Sequence, residues 1–149
     1  MSDKIVNGKK ITAAVVIIDA DGNILACHGT GKAKDAGYDF PKGCVEEKEA
    51  DIAAAVRELR EETDIYLNDS YRLIDCGVHP HNKEKNIHIF LYKTNYFPPL
   101  EQLKCTTFFE AYGKKFPEVD SYRIISKNER HMFNKVLQNK FEIIDSFNK

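Results

Sequence analysis

The chain has no tryptophan and only four cysteines in 149 residues. Cys27, Cys44, Cys76 and Cys105 are widely spaced and form no Cys-x-x-Cys pair. That spacing argues against a disulfide framework and for reduced, buried thiols in a cytosolic protein. Cys76, His79 and His81 sketch three corners of a zinc site, but a fourth ligand is not evident. No apolar run is long enough to span a bilayer. The N-terminal segment MSDKIVNGKK contains no signal-peptide core, so a cytoplasmic location without a membrane partner is expected. An excess of one charge is also missing. The 22 Lys and Arg balance 23 Asp and Glu to a net charge of −1, which provides no global attraction for nucleic acid. Repeats, linkers and low-complexity tracts are absent, and residues 1–149 read as a single domain. A domain of this size buries roughly two thirds of its unfolded surface.

What the sequence does have is a dense acidic segment with helical rhythm, Gly43 to Ile65, reading GCVEEKEADIAAAVRELREETDI. Ile52, Ala55, Val56 and Leu59 recur at three- and four-residue steps and form one apolar stripe. A helix is therefore predicted from Lys48 or Glu49 to Thr63. Glu58, Glu61 and Glu62 share a neighbouring sector of it. Asp51 in the first turn suits the helix dipole, whereas three carboxylates in the last turns oppose it. Like charges at this spacing cost roughly 0.2–0.5 kcal/mol per exposed pair, and more where water is excluded. A hard divalent cation reverses the sign of that cost. The plain alternative is a solvated acidic face, against which Arg57 and the upstream Gly43 count.

The order Gly, five residues, Glu, seven residues, Arg-Glu-apolar-x-Glu-Glu-x-Gly-apolar resembles the Nudix box. Gly43, Glu49, Arg57, Glu58, Leu59, Glu61, Glu62 and Ile65 match it, while Asp64 stands where the family has glycine. Aspartate tolerates left-handed backbone better than most residues, so the helix end is expected to survive. Tyr38 to Gly43 is similar to the family's usual approach to the box, with Tyr38 where tryptophan is common. The resemblance implies an α+β fold, an α/β/α sandwich around a mixed β-sheet. It implies a hydrolase that cleaves a pyrophosphate bond in a nucleoside diphosphate linked to another group. It also implies magnesium, with manganese able to substitute, held by Glu58, Glu61, Glu62 and the carbonyl of Gly43. Glu49 and Arg57 are then a supporting pair. Many members of the family dimerise, so a homodimer stays open.

The rest of the chain reads as strands, turns and a second helix. Ile11 to Ile18 is a buried strand and Ile24 to His28 its hairpin partner, with Gly22 in the turn. Asp19, Asp21 and Asn23 imitate a calcium loop, but Thr30 stands where a closing glutamate is needed. Gly29 to Gly37 is a loop, and Tyr38 to Phe40 a short strand. Tyr71 to Val78 and Ile87 to Thr94 are further strands, separated by a polar loop from His79 to Asn86. Pro98 and Pro99 make Asn95 to Leu103 irregular. Cys105 to Tyr112 has strand-like residues, and Tyr122 to Ile125 is a short strand. Ser126-x-x-Glu129 forms a capping box that opens a helix whose stripe is Met132, Phe133, Val136 and Leu137.

Substrate choice lies outside the box. Phe40-Pro41-Lys42-Gly43 resembles members acting on dinucleoside polyphosphates and inositol polyphosphates, and Pro80 resembles the proline of ADP-ribose pyrophosphatases. Together they imply a small-molecule nucleotide partner: ADP-ribose, diadenosine polyphosphates or FAD. An adenine needs a flat group to stack on. Tyr38, Tyr92, Phe97, Phe109 and Tyr112 qualify, although each also reads as core, and Tyr38 is favoured. Tyr38, Phe40 and Lys42 are the predicted substrate-binding residues, and Lys32 and Lys34 lie close enough in sequence to meet phosphates. A general base should be a carboxylate or histidine near the attacking water. Glu61 fits, as ligand or as base. Glu118, in Phe116-Pro117-Glu118-Val119-Asp120, is the better candidate outside the box, ahead of Glu110, and Glu129 is accounted for by its capping box. Two other functions fit the same fold. One is an RNA 5′-end pyrophosphohydrolase acting on capped RNA. The other is a non-catalytic nucleotide sensor, against which the complete acid set counts.

Overall fold

The computed structural model describes residues 2–32 and 36–149. Lys34, singled out above, lies outside the described residues. The architecture is built around one strand, β2 (Lys9–Ile18), in which every residue from Ile11 to Ile18 is buried. Burial on both faces needs apolar or small residues throughout, as the run Ile-Thr-Ala-Ala-Val-Val-Ile-Ile supplies. Alternate side chains feed two cores. Ile11, Ala13, Val15 and Ile17 point to one face, and Ala14, Val16 and Ile18 to the other.

Both flanks of β2 are paired. β6 (Lys85–Lys93) runs parallel to it, in register from Lys10↔Lys85 to Ile18↔Lys93. β5 (Ile74–Pro80) pairs antiparallel with β6. On the opposite flank, β1 (Ile5–Val6) and β4 (Lys42–Cys44) pair with the first half of β2. β3 (Ile24–Gly29) pairs with β2 only at Ile18↔Ile24, then diverges to pair with β9 (Val119–Ile125). The main path of the mixed sheet is β5-β6-β2-β3-β9. β7 (Phe108–Ala111) and β8 (Lys114–Pro117) form a separate two-stranded ribbon.

Helix α1 (Asp51–Thr63) covers one face, and the C-terminal segment ending in α2 (Phe141–Phe147) covers the other. The fold is α+β, with helical layers on either side of a mixed sheet. α1 buries Ala54, Ala55, Leu59 and Thr63; Ala55 and Leu59 belong to the predicted stripe, whereas Val56 is half-buried and Ile52 is 39% exposed. The two alanines let the helix backbone approach β2 closely. Complete burial of Leu59 contributes about 2 kcal/mol in transfer terms.

Several expected boundaries shift. The helix begins at Asp51, so Glu49 lies ahead of it on the loop. β5 and β6 extend into the stretch expected as a loop, leaving a tight connection at residues 81–84 that the Asn82 side chain organises by accepting from the Glu84 and Lys85 amides. Tyr38 and Asp39 make only isolated bridges, to Phe133 and Cys27. Cys105 to Tyr112 contributes only its second half to a strand, and the last strand starts earlier, at Val119. The expected second helix is instead two 3₁₀ turns, Lys127–Met132 and Lys135–Lys140, before α2. The Ser126–Glu129 capping box is present. The break falls at Phe133, which turns extended to pack on Phe40 and Phe141, and Asn134 caps the next turn by accepting from the Val136 amide. Of the four thiols, Cys27 and Cys76 are buried while Cys44 and Cys105 are half-buried.

Candidate active site

The acids are organised by Arg57. Its Nε and Nη2 grip both carboxylate oxygens of Glu49 at 2.8 and 2.9 Å. Its Nη1 reaches Glu58 at 2.8 Å and Glu61 at 3.1 Å, and Nη2 also donates to the Cys44 carbonyl at 3.2 Å. These contacts use all five guanidinium N–H donors. Glu49 is fixed in turn by accepting from the Glu46 amide. The Arg57 hydrogen bonds hold Glu49 below the usual carboxylate range, and the same bonds raise Arg57. Because Glu49 precedes the helix, it grips the guanidinium from the loop side, and this pair locks the Gly43 strand to α1.

Gly43 on β4 faces Glu58. A Cβ built on Gly43 would fall 2.1 Å from the carboxyl carbon of Glu58 and 2.3 Å from both its oxygens. The glycine is required for space, not for backbone conformation. Glu62 accepts from the Lys42 amide at 3.3 Å. Burial pushes Glu58 up to about 7, with the Glu61 charge adding to it and Arg57 opposing. Burial likewise pushes Glu62 up to about 8, with Lys42 opposing and Glu58 and Glu118 adding. Glu118 follows β8, and its carboxylate acts on both buried acids although its own side chain is exposed.

The end of α1 is finished by Asp64, as expected, and by three residues that the sequence does not mark for this role. Asp64 closes it in the left-handed conformation, φ 64°, its amide donating to the Arg60 carbonyl at 2.8 Å. The Glu61 carbonyl accepts from the Thr106 amide and hydroxyl at 2.7 and 3.0 Å. The Glu62 carbonyl accepts from the Tyr122 hydroxyl, and the Thr63 carbonyl from the Lys104 amide at 3.3 Å. All four terminal carbonyls, ordinarily orphaned at a helix end, are therefore satisfied. Three of the four donor residues arrive from the segment just before the ribbon and from β9. The only sequence signal was the apposition of Tyr122 with a strand, which says nothing about its hydroxyl.

Lys42 is at the acids, as expected, and lies 3.9 Å from Asp39. Phe40, predicted to bind substrate, is completely buried among Phe133 and Phe141. Its role is corrected to packing, because no face of the ring is available to a ligand. Tyr38 belongs to the layer opposite α1. It meets His28 edge-on at 5.6 Å and lines a cleft of about 610 Å³ with His28, Asp120, Ser121, Arg123 and Met132. Of the other flat groups, Tyr92 is engaged by Asp69 and Arg72, Phe97 packs against the α1 core, and Tyr112 is 98% exposed at the ribbon turn. Glu129 is occupied by the capping box.

Among the described residues no three His, Cys, Asp or Glu side chains close on one point. Glu58 and Glu61 are turned onto Arg57 instead. The donor set nonetheless suits a hard cation. Two half-buried carboxylates, Glu58 and Glu62, are pushed towards their protonated forms by burial and by neighbouring acids, Glu61 and Glu118 for the first and Glu58 and Glu118 for the second, and Gly43 leaves the space that Glu58 fills. Glu58, Glu61, Glu62 and the Gly43 carbonyl are the groups that would hold the ion.

Comparison with known proteins shows the family and the fold. The family model described as NUDIX domain matches residues 8–140. An uncharacterized 17.7 kDa protein of Enterobacteria phage T4, from the e-segB intergenic region, is 27% identical over 132 residues, covering 81% of this chain and 85% of its own. A bifunctional NMN adenylyltransferase/ADP ribose pyrophosphatase of Francisella tularensis, complexed with AMP and manganese, superposes with a TM-score of 0.69 at 18% identity. That match covers 95% of this chain but only 42% of the bifunctional protein. A C. elegans Ap4A hydrolase superposes with a TM-score of 0.62 at 16% identity, covering 91% of this chain and 94% of its own. The chain belongs to the NUDIX domain family and is a Nudix hydrolase. No helix among the described residues is long and apolar enough to cross a membrane.

Proposed function

We propose that the protein hydrolyses a pyrophosphate bond in a nucleoside diphosphate linked to a second group, with ADP-ribose, diadenosine polyphosphates and FAD as the substrate class. The observation that carries this reading is the acid set at the end of α1: Glu58 sits against Gly43, Arg57 holds Glu58 and Glu61, and the Glu118 charge acts on Glu58 and Glu62. A bound magnesium or manganese ion supplies charge neutralisation for the diphosphate oxygens and acidifies water. The chain's own groups do the rest. Glu49 and Arg57 hold the rotamers of Glu58 and Glu61. Glu61 and Glu118, the less buried acids, are the proton acceptors for an attacking water. Lys42 offsets phosphate charge from the Gly43 side. Tyr38, in its cleft with Arg123, offers a face for adenine.

One structural relative is an ADP ribose pyrophosphatase and another an Ap4A hydrolase, which supports this class over others. The test is a substrate panel of ADP-ribose, diadenosine tri- and tetraphosphate, FAD, NADH, nucleoside triphosphates and capped RNA, with products resolved by chromatography in magnesium and in manganese. AMP from the diphosphate-linked compounds is the expected product. Cleavage of capped RNA alone would transfer the activity to RNA 5′ ends, and no cleavage of any member would overturn the reading.

A further inference from the structure

The ribbon of β7 and β8 belongs to neither core of the main sheet. Phe109 is 37% exposed beside the half-buried Phe116, while Phe108, 57% exposed, lies on the other face of the ribbon. The ribbon register tells where the Phe109 face points. Its rungs are Phe108↔Pro117, Phe109↔Phe116, Glu110↔Lys115 and Ala111↔Lys114. The Glu118 amide donates to the Thr107 carbonyl at 3.0 Å, which continues the ladder one rung towards the body of the protein. Side chains alternate between faces along a ladder. The Phe109–Phe116 rung, two beyond Thr107–Glu118, therefore shares the face that carries Glu118, and Ala111–Lys114 follows on the same face.

Read outward from the acids, that face presents a carboxylate, then an aromatic pair, then an ammonium. The two rings are 5.9 Å apart and tilted by 32°, a paired apolar platform rather than two isolated side chains. Two rungs correspond to about 7 Å, about the distance from a phosphorus, across a ribose, to a base. On the other side of Glu118, Asp120 lines the Tyr38 cleft. Glu118 thus lies between two flat-ring seats, one on each side of it along the chain.

We propose that the Phe109–Phe116 face of the ribbon seats the second heterocycle of a dinucleotide substrate, a nucleobase or a flavin, while the acids hold the diphosphate. The inference rests on the pyrophosphohydrolase reading and sharpens its substrate class: compounds with a ring at each end gain a contact that ADP-ribose, with one base and a free ribose, does not make. A base that stacks on an aromatic ring loses that contact when the ring is absent, so removing one ring should weaken binding roughly tenfold. Lys114, next on the same face, adds attraction for a phosphate-bearing ligand.

The test compares the wild-type protein with Phe109→Ala, Phe109→Tyr and Tyr112→Ala on diadenosine tetraphosphate, FAD and ADP-ribose. Phe109→Ala should lower kcat/KM for the first two roughly tenfold, mainly through KM, and leave ADP-ribose within about twofold. Phe109→Tyr should restore selectivity, and Tyr112→Ala, at the turn, should leave it unchanged. Titration calorimetry of FAD without added metal gives a reading independent of turnover, in which Phe109→Ala should weaken binding. Equal losses on all three substrates, or no loss on any, overturn the inference while leaving the hydrolase reading in place. So does an altered sedimentation coefficient with unchanged selectivity, which would make the ribbon a contact between copies. A wild-type protein inactive on all three overturns both readings.

Discussion

A methyl group on Gly43 would lie 2.1 Å from the carboxyl carbon of Glu58, so the two residues fit together only because one of them has no side chain. Gly43→Ala must therefore push the Glu58 carboxylate aside or displace β4. A displacement of about 1 Å at a reacting centre costs on the order of 100-fold in rate. The expected outcome is a fall of that size in kcat, measured on whichever panel substrate is best, with an unchanged circular dichroism spectrum.

Arg57→Lys is not a conservative change here. Lysine brings three donors from one point, whereas Arg57 uses five spread over a plane to join Glu49, Glu58, Glu61 and the Cys44 carbonyl. Groups that orient ligands from behind typically contribute about 10–100-fold. Steady-state kinetics should show a kcat reduced within that range, accompanied by a higher magnesium requirement.

The two buried acids make stability depend on pH. Their folded-state values, about 7 for Glu58 and about 8 for Glu62, lie above the ordinary carboxylate value of 4.5. The folded protein then binds more protons than the unfolded chain above that value, so stability is lost as pH rises towards 8. His81 works in the opposite sense lower down. Burial depresses it to about 4 from 6.5, so its contribution is lost as pH falls through that interval. Between pH 6.5 and 8 the acids dominate, because His81 has lost most of its effect. Without divalent cations the melting temperature should fall across that window. Glu62→Gln should flatten the fall and abolish most turnover, and magnesium should stabilise the wild type more at pH 8 than at pH 6.5. A wild-type profile as flat as that of Glu62→Gln would remove Glu62 from the crowded set.

Tyr122→Phe removes one hydroxyl from the end of α1 and leaves the Glu62 carbonyl without its donor. An unpaired, partly buried acceptor costs about 1–3 kcal/mol. Urea unfolding should register a loss near the lower end of that range with an unchanged m-value. The rate should fall as well, because the freed carbonyl belongs to a residue of the acid cluster.

The box residues were legible because their relationships are local. Arg57, Glu58, Glu61 and Glu62 are placed on one another by helical spacing, and Asp64 could be judged by the backbone conformations open to aspartate. β2 announced itself by an unbroken apolar run. What escaped depends on distant partners. Phe40 looks the same in sequence whether it faces a ligand or is enclosed, and only Phe133 and Phe141 decide. The stripe of the second helix was apolar at helical spacing, yet Phe133 contributes more by leaving the helix to pack on those rings than by continuing it. Thr106 and Tyr122 carry no local mark of their role, since the carbonyls they satisfy lie 45 and 60 residues earlier.

That separation has a consequence during synthesis. A nascent chain that has emerged as far as Leu100 already contains every box residue, but not Lys104, Thr106 or Tyr122, which complete the last turn of α1. Competence to catalyse is thus acquired only once β9 has been made and has docked, and a ribosome-stalled fragment ending before that strand should carry the family's signature in full without working as an enzyme.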